Sequence, residues 1–106
     1  MNPHPLTLAY IRAALERPGM YMGDGRLRDL ELQVHAFDTA LIQTGVMGVH
    51  EPFNAAFRNW LARETGRSAC QGWAVLLEEL HGPGRRARAG LADSFSTAMR
   101  PRGIAT

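Results

Sequence analysis

The chain has 106 residues, of which 45% are apolar and 21% are charged, close to the mix of ordinary globular domains. This composition excludes a wholly disordered or fibrous chain, and no apolar stretch is long enough to indicate a transmembrane helix. The formal net charge is +2, and all twelve basic residues are arginines. We expect one domain over residues 1–106, with a flexible tail at 100–106.

The cysteine count indicates a reducing compartment. Cys70 is the single cysteine, so the chain forms no internal disulfide. The first residues carry no cationic run followed by an apolar block, so no secretory signal is visible. We therefore expect a cytoplasmic protein without a membrane segment.

The first helix is expected to begin at Thr7, whose hydroxyl suits an N-cap, and to end before Pro18. Three glycines and a proline then predict a turn or loop over Pro18–Gly25. A second helix is predicted over Arg26–Thr44, followed by Gly45. Its apolar stripe, at steps of three and four, comprises Leu27, Leu30, Val34, Phe37 and Leu41.

Three more helices are predicted in the second half. Pro52 suits the first turn of a third helix that ends at Gly66, and Ser68 is the predicted N-cap of a fourth. A fifth is predicted over Arg85–Met99, with Gly90 costing about 1 kcal/mol relative to Ala. No strand pattern of useful length appears, so the expected fold is all-α, a compact bundle of about five helices. The expected aromatic anchors of its core are Phe37, Phe53, Phe57, Trp60, Trp73 and Phe95.

Reactive groups are few and dispersed. The histidines lie at His4, His35, His50 and His81, a spacing that forms no helical metal pair, so no metal or cofactor is expected. His35 and Asp38 can share a helix face as an acid–base pair or as a solvated ion pair. Cys70 lies near a predicted helix start, where it is either a nucleophile or a small buried residue. Neither pattern predicts an enzyme.

The run Arg17-Pro18-Gly19-Met20-Tyr21-Met22-Gly23 is the most distinctive motif. It resembles the start of the ATPase domain of DNA gyrase B over residues 11–24. That domain needs a magnesium-binding Asn on the next helix and a later Asp-Gly-x-Gly loop. Neither is present here, so the resemblance does not imply an ATPase.

A second resemblance covers most of the chain. The motif, the run Phe57-Arg58-Asn59-Trp60-Leu61 and the pair Gly72-Trp73 resemble a group of small all-helical bacterial proteins. Some of these are similar to immunity proteins of toxin systems. The resemblance implies a non-enzymatic protein that binds and occludes a cognate toxin. The expected partner-binding residues are Tyr21, Met22, Asp24, Asp29, Glu78 and Glu79.

Two alternatives stay open. The motif is either a structural turn pinned to the core by its Met and Tyr side chains or a partner-facing surface. The charge is also uneven, because residues 83–106 hold five arginines against Asp93 alone. Arg85, Arg86 and Arg88 would then serve a nucleic-acid-associated accessory domain. The sequence does not indicate an oligomeric state or the identity of the toxin.

Overall fold

The computed structural model describes residues 1–23 and 26–100 of the chain. Across these residues the fold is all-helical, and its only β-type pairing is an isolated bridge between Pro3 and Glu51. The six helices are α1 (Pro5–Glu16), α2 (Pro18–Tyr21), α3 (Leu27–Gln43), α4 (Phe53–Thr65), α5 (Trp73–His81) and α6 (Arg85–Met99). The predicted all-α class is confirmed. The sixth helix is α2, one turn formed within the predicted loop.

Several helix ends coincide with local signals in the sequence. Helix α3 lies within one residue of its predicted bounds, and α6 has the predicted bounds. Helix α4 ends at Gly66, which has a φ of 68°, a left-handed conformation that glycine adopts without steric cost. The described part of the predicted tail is Arg100, and the rest of it lies outside the described residues.

Two predicted N-caps are wrong. Helix α1 begins at Pro5, capped by the His4 ring, whose Nδ1 accepts a hydrogen bond from the Leu6 amide at 3.0 Å. Thr7 therefore lies inside α1 and is fully buried. Helix α5 begins at Trp73, so Ser68 precedes it by five residues, and its Oγ accepts from the Cys70 amide in a turn at 3.3 Å.

The core is built around α3, which packs against α1, α4 and α5, while α5 also packs against α6. Its aromatic centre consists of Phe53, Phe57, Trp73 and Phe95, with the first two rings stacked at 5.0 Å between centroids. Of the other predicted anchors, Phe37 and Trp60 are only half-buried. The aromatic residues of α4, α5 and α6 thus form one cluster on one side of α3.

Asp38 takes the place in the α3 stripe that was predicted for Phe37. A step of four from Val34 reaches position 38, whose side chain is 3% exposed. One carboxylate oxygen accepts from the Thr7 hydroxyl at 2.6 Å, and the other accepts from the Phe53 amide at 2.8 Å. Phe53 is the first residue of α4, so Asp38 caps that helix from α3.

Packing against α5 explains why glycine occupies position 90 in the middle of α6. A Cβ at this position would collide with the His81 ring at the end of α5. The absence of a side chain thus allows the close approach of α5 and α6. Helix propensity alone counts this glycine only as a cost and does not predict its role in packing.

We expect Asp38→Ala to lower the free energy of unfolding by about 3 kcal/mol, because two buried donors lose a charged acceptor. Urea unfolding measures this directly. The matched control is Asp93→Ala on the exposed face of α6, where a change within about 0.5 kcal/mol is expected. Equal effects of the two substitutions would contradict the buried cap.

Candidate functional site

An open groove of about 540 Å³ lies between α3, α4 and the α4–α5 loop, residues 66–72. We call it the α3–α4 groove. Its exposed lining includes Arg28, Leu32 and His35 from α3, Arg58 from α4, and Cys70 from the loop. All five residues are exposed, so the groove is accessible in the monomer.

A hydrogen-bond network that ties three elements together forms the base of the groove. The Glu31 carboxylate accepts from the Trp73 amide at 3.0 Å, at the first residue of α5. Asn54 donates its side-chain amide to the Glu31 carbonyl at 2.9 Å and accepts from the Trp73 indole at 2.9 Å. The network fixes the start of α5 against α3 and α4, so the groove has a rigid base.

Gly72 allows this approach of the loop to Glu31. Its φ is 104° and its ψ is 163°, a backbone conformation that residues other than glycine rarely adopt. A Cβ at this position would also collide with the Glu31 carboxylate. Both backbone conformation and space therefore require glycine directly before α5.

Burial raises the pKa of the Glu31 carboxyl above its usual value. Hydrogen bonds from the Trp73 and Ala74 amides, and the charges of Arg28 and Arg58, act in the opposite direction and offset part of this shift. The carboxylate is thus held in a half-buried position by the start of α5. It is a structural hydrogen-bond acceptor for the start of α5.

The groove surface is cationic and apolar. Neither Arg28 nor Arg58 makes an ion pair with any other described residue, and both guanidinium groups lie near the half-buried Glu31. Leu32, four residues after Arg28 on α3, lines the same groove and is 59% exposed. The groove therefore presents two cationic side chains and one exposed apolar side chain on a concave surface.

A smaller concavity of about 260 Å³ lies between the α4–α5 loop and α5. It is lined by Arg67 and Glu79, whose charged groups are 3.8 Å apart, and it shares Cys70 with the α3–α4 groove. Cys70 is exposed and lies in a turn three residues before α5. Its thiol is therefore accessible rather than a buried core group.

The predicted pairing of His35 with Asp38 is wrong. His35 is exposed on the groove, whereas Asp38 is buried with both oxygens occupied by Thr7 and Phe53. The two side chains lie in different environments because residues three apart on α3 straddle the edge of its buried stripe. Asp38 is a helix cap and cannot orient His35.

The distinctive motif is pinned to the core by two side chains. Met22 is 1% exposed, so its predicted contact with a partner is wrong, because a buried side chain offers no surface. Tyr21 packs edge-on against Tyr10 at 5.3 Å, and the Gln33 amide bridges the Tyr21 carbonyl and the Tyr10 hydroxyl. Burial and the nearby Tyr21 raise the pKa of Tyr10. Met20, at 74% exposure, is the exposed large apolar side chain of the motif.

The other predicted partner residues lie on separate elements. Asp24 lies outside the described residues. Asp29 is exposed in the first turn of α3, Glu78 is half-buried on α5, and Glu79 is exposed beside Arg67. Tyr21 contacts α1 and α3, whereas Glu79 contacts the α4–α5 loop. None of the three described acidic residues of this set lines the α3–α4 groove.

The basic residues of the alternative site lie at the start of α6. Arg85 and Arg86 are exposed, and Arg88 is half-buried. Arg86 lines a shallow concavity with His81 and Asp93, so an acidic group is part of the same surface.

Sequence reasoning singled out His35 and Cys70 but missed the other side chains of the groove, Arg28, Leu32 and Arg58. Arg28 and Arg58 are 30 positions apart, and Leu32 falls outside the apolar stripe of α3. The one available signal was Leu32 itself, an apolar residue on the polar face of an amphipathic helix.

Comparison with known proteins gave no match, whether to a family model, a curated protein or a solved structure. No helix among the described residues is long and apolar enough to cross a membrane. Within the same residues, no three His, Cys, Asp or Glu side chains form a group able to hold a metal ion.

We expect Gly72→Ala to destabilise the fold by about 2 kcal/mol, because it strains the backbone and displaces the Glu31 carboxylate. The matched control is Gly19→Ala in α2, where a Cβ meets no atom within 4 Å. Thermal unfolding of both variants checks this. A Gly72 variant as stable as the Gly19 variant would contradict the close approach.

The raised pKa of Glu31 predicts a pH-dependent difference in stability between the wild type and Glu31→Gln. Between the unfolded and folded pKa values, the folded chain retains a proton that the unfolded chain has released. The contribution of Glu31 is therefore present below its unfolded pKa, about 4.3, and is lost as the pH rises through the folded pKa.

Urea unfolding at several pH values measures this difference, and the exposed Glu64→Gln variant corrects for the loss of one acidic charge. We expect the stability of the wild type minus that of Glu31→Gln to fall as the pH rises. A difference that grows with pH would show that the helix amides, not burial, dominate at Glu31.

Proposed function

We propose that this protein is a non-enzymatic, immunity-type protein of bacteria that binds a cognate protein toxin and occludes it. The observation that carries the proposal is the α3–α4 groove, a concave surface with an exposed leucine above a hydrogen-bonded base. Occlusion needs a preformed surface, because binding then orders few additional groups. The resemblance of the sequence motifs to those of immunity-type proteins is the reason for proposing a toxin as the partner.

The scaffold supports this mechanism. The start of α4 is fixed by Asp38 and the start of α5 by Glu31, so both helices that border the groove are anchored to α3. A partner seated on the groove and its rim would bury about 1,200–2,000 Å² in total, the range of stable complexes. No group on the protein needs to react.

Co-expression tests the proposal. If the gene adjoins a toxin-domain gene, the toxin alone should stop growth, and co-expression of this protein should restore it. The two proteins should also co-purify. Growth that stops equally with and without this protein, or a toxin that does not co-purify with it, would overturn the proposal.

Cys70→Ser and His35→Asn, which nearly preserve the volumes of these two groove-lining side chains, separate binding from catalysis. We expect both variants to protect cells as the wild type does, because occlusion uses the shape of the groove rather than a reactive group. Titrating the toxin's activity with each purified variant should give stoichiometric inhibition. Turnover, seen as inactivation of many toxin molecules per molecule of this protein, would indicate an enzyme.

The alternative is a nucleic-acid-associated domain that uses Arg85, Arg86 and Arg88. Filter binding at low and high salt distinguishes it, because phosphate contacts weaken steeply with ionic strength. Salt-sensitive binding that is lost on replacing Arg85 and Arg86 with Glu would favour this alternative.

A further inference from the structure

We propose that the α3–α4 groove binds an acidic segment of a partner protein, with Arg28 and Arg58 contacting its carboxylates and Leu32 contacting an apolar side chain. The inference rests on the proposed function, because both require that the ligand is a protein. It adds the chemistry of the bound segment and the surface that receives it.

Charge complementarity is the first argument. Arg28 and Arg58 come from different helices and line one groove, and neither makes an ion pair with another described residue. The one acidic side chain among the residues lining the groove is Glu31, whose carboxylate is engaged by the start of α5. Both guanidinium groups lie near the Glu31 carboxylate, which offsets part of their charge, but neither is ion-paired to it. Their planar donors can therefore contact the carboxylates of a ligand.

An exposed apolar side chain lines the same groove as the two cations. Leu32 lies one helical turn after Arg28 and is 59% exposed, although every buried residue of α3 lies on its other face. Val75, half-buried on α5, lines the same groove. A peptide that places a Leu, Ile or Phe near Asp or Glu would cover both features at once.

The geometry also distinguishes a protein ligand from a nucleic acid. The groove has two cations and an exposed leucine, whereas a phosphate backbone favours a broad cationic track without apolar side chains. The arginine-rich start of α6 is separate from the groove, since its lining residues differ. Nucleic-acid binding at the groove is thus an outcome that the test must detect.

The experiment is a selection of random 12-residue peptides displayed on phage against the full-length protein. The protein is immobilised through an added C-terminal tag, because coupling through Cys70 would block the groove. Enriched peptides are synthesised with a fluorescein label, and their dissociation constants are measured by anisotropy at low and high salt. A labelled single-stranded oligonucleotide is measured in parallel.

Three variants locate the binding. Arg28→Glu/Arg58→Glu reverses the charge of the groove, and Arg28→Gln/Arg58→Gln removes it if charge reversal impairs folding. The matched control is Arg63→Glu, an exposed position on α4 that lines a different concavity near Met1. Each variant is used only if its unfolding midpoint matches that of the wild type.

The expected result is enrichment of peptides that combine Asp or Glu with a large apolar residue. Their dissociation constant should rise about 10-fold in the Arg28/Arg58 variants and less than about 3-fold in Arg63→Glu. For the wild type, the dissociation constant should also rise with increasing salt. Failure to enrich any peptide, enrichment of basic peptides, or equal affinity for wild type and the Arg28/Arg58 variants would overturn the inference. Oligonucleotide binding that depends on Arg28 and Arg58 would also overturn it.

Failure of this inference is distinguishable from failure of the proposed function. If the toxin binds the Arg28/Arg58 variants as tightly as the wild type, the groove inference fails and the proposed function stands. If acidic peptides bind the groove but the toxin does not bind the protein, the proposed function fails and the groove inference stands.

Discussion

Two carboxylates of α3 hold the fold together by capping the helices that pack against it. Asp38 accepts from the first amide of α4, and Glu31 accepts from the first amide of α5. Because positions 31 and 38 are seven residues apart, they lie two helical turns apart on nearly the same side of α3. The residues preceding both helices, Pro52 and Gly72, supply no side-chain cap, so the anionic groups from α3 take that role at the positive ends of the helices.

This arrangement determines where a binding surface can form. The two caps fix α4 and the α4–α5 loop against one side of α3, and the exposed side chains of that side then line a groove with a rigid base. Glu31 contributes to both the cap and the groove. Its carboxylate holds the start of α5, while Arg28 and Leu32 on the same helix are exposed to solvent and line the groove. Preorganisation of this kind would favour the occlusion proposed above, because a flexible surface loses affinity to the cost of ordering it.

The parts of this fold that the sequence predicts are those set by local signals. The bounds of α3 and α6 follow from apolar periodicity with glycine and proline nearby. The roles of Thr7, Glu31 and Asp38 do not, because a buried polar side chain is explained only by partners that lie 15 to 42 residues away. The groove was beyond prediction for the same reason: Arg28 and Arg58 lie on different helices and share a surface only through packing.

Amide hydrogen exchange measured by NMR tests the two caps most directly. If α3 caps both helices, the amides of Phe53 and Trp73 should exchange about 100-fold more slowly than the amide of Arg85, which begins α6 without a side-chain cap. First-turn amides of a helix are otherwise open to solvent, so slow exchange at both positions requires an acceptor from elsewhere in the fold. Exchange at Phe53 and Trp73 as fast as at Arg85 would contradict the account.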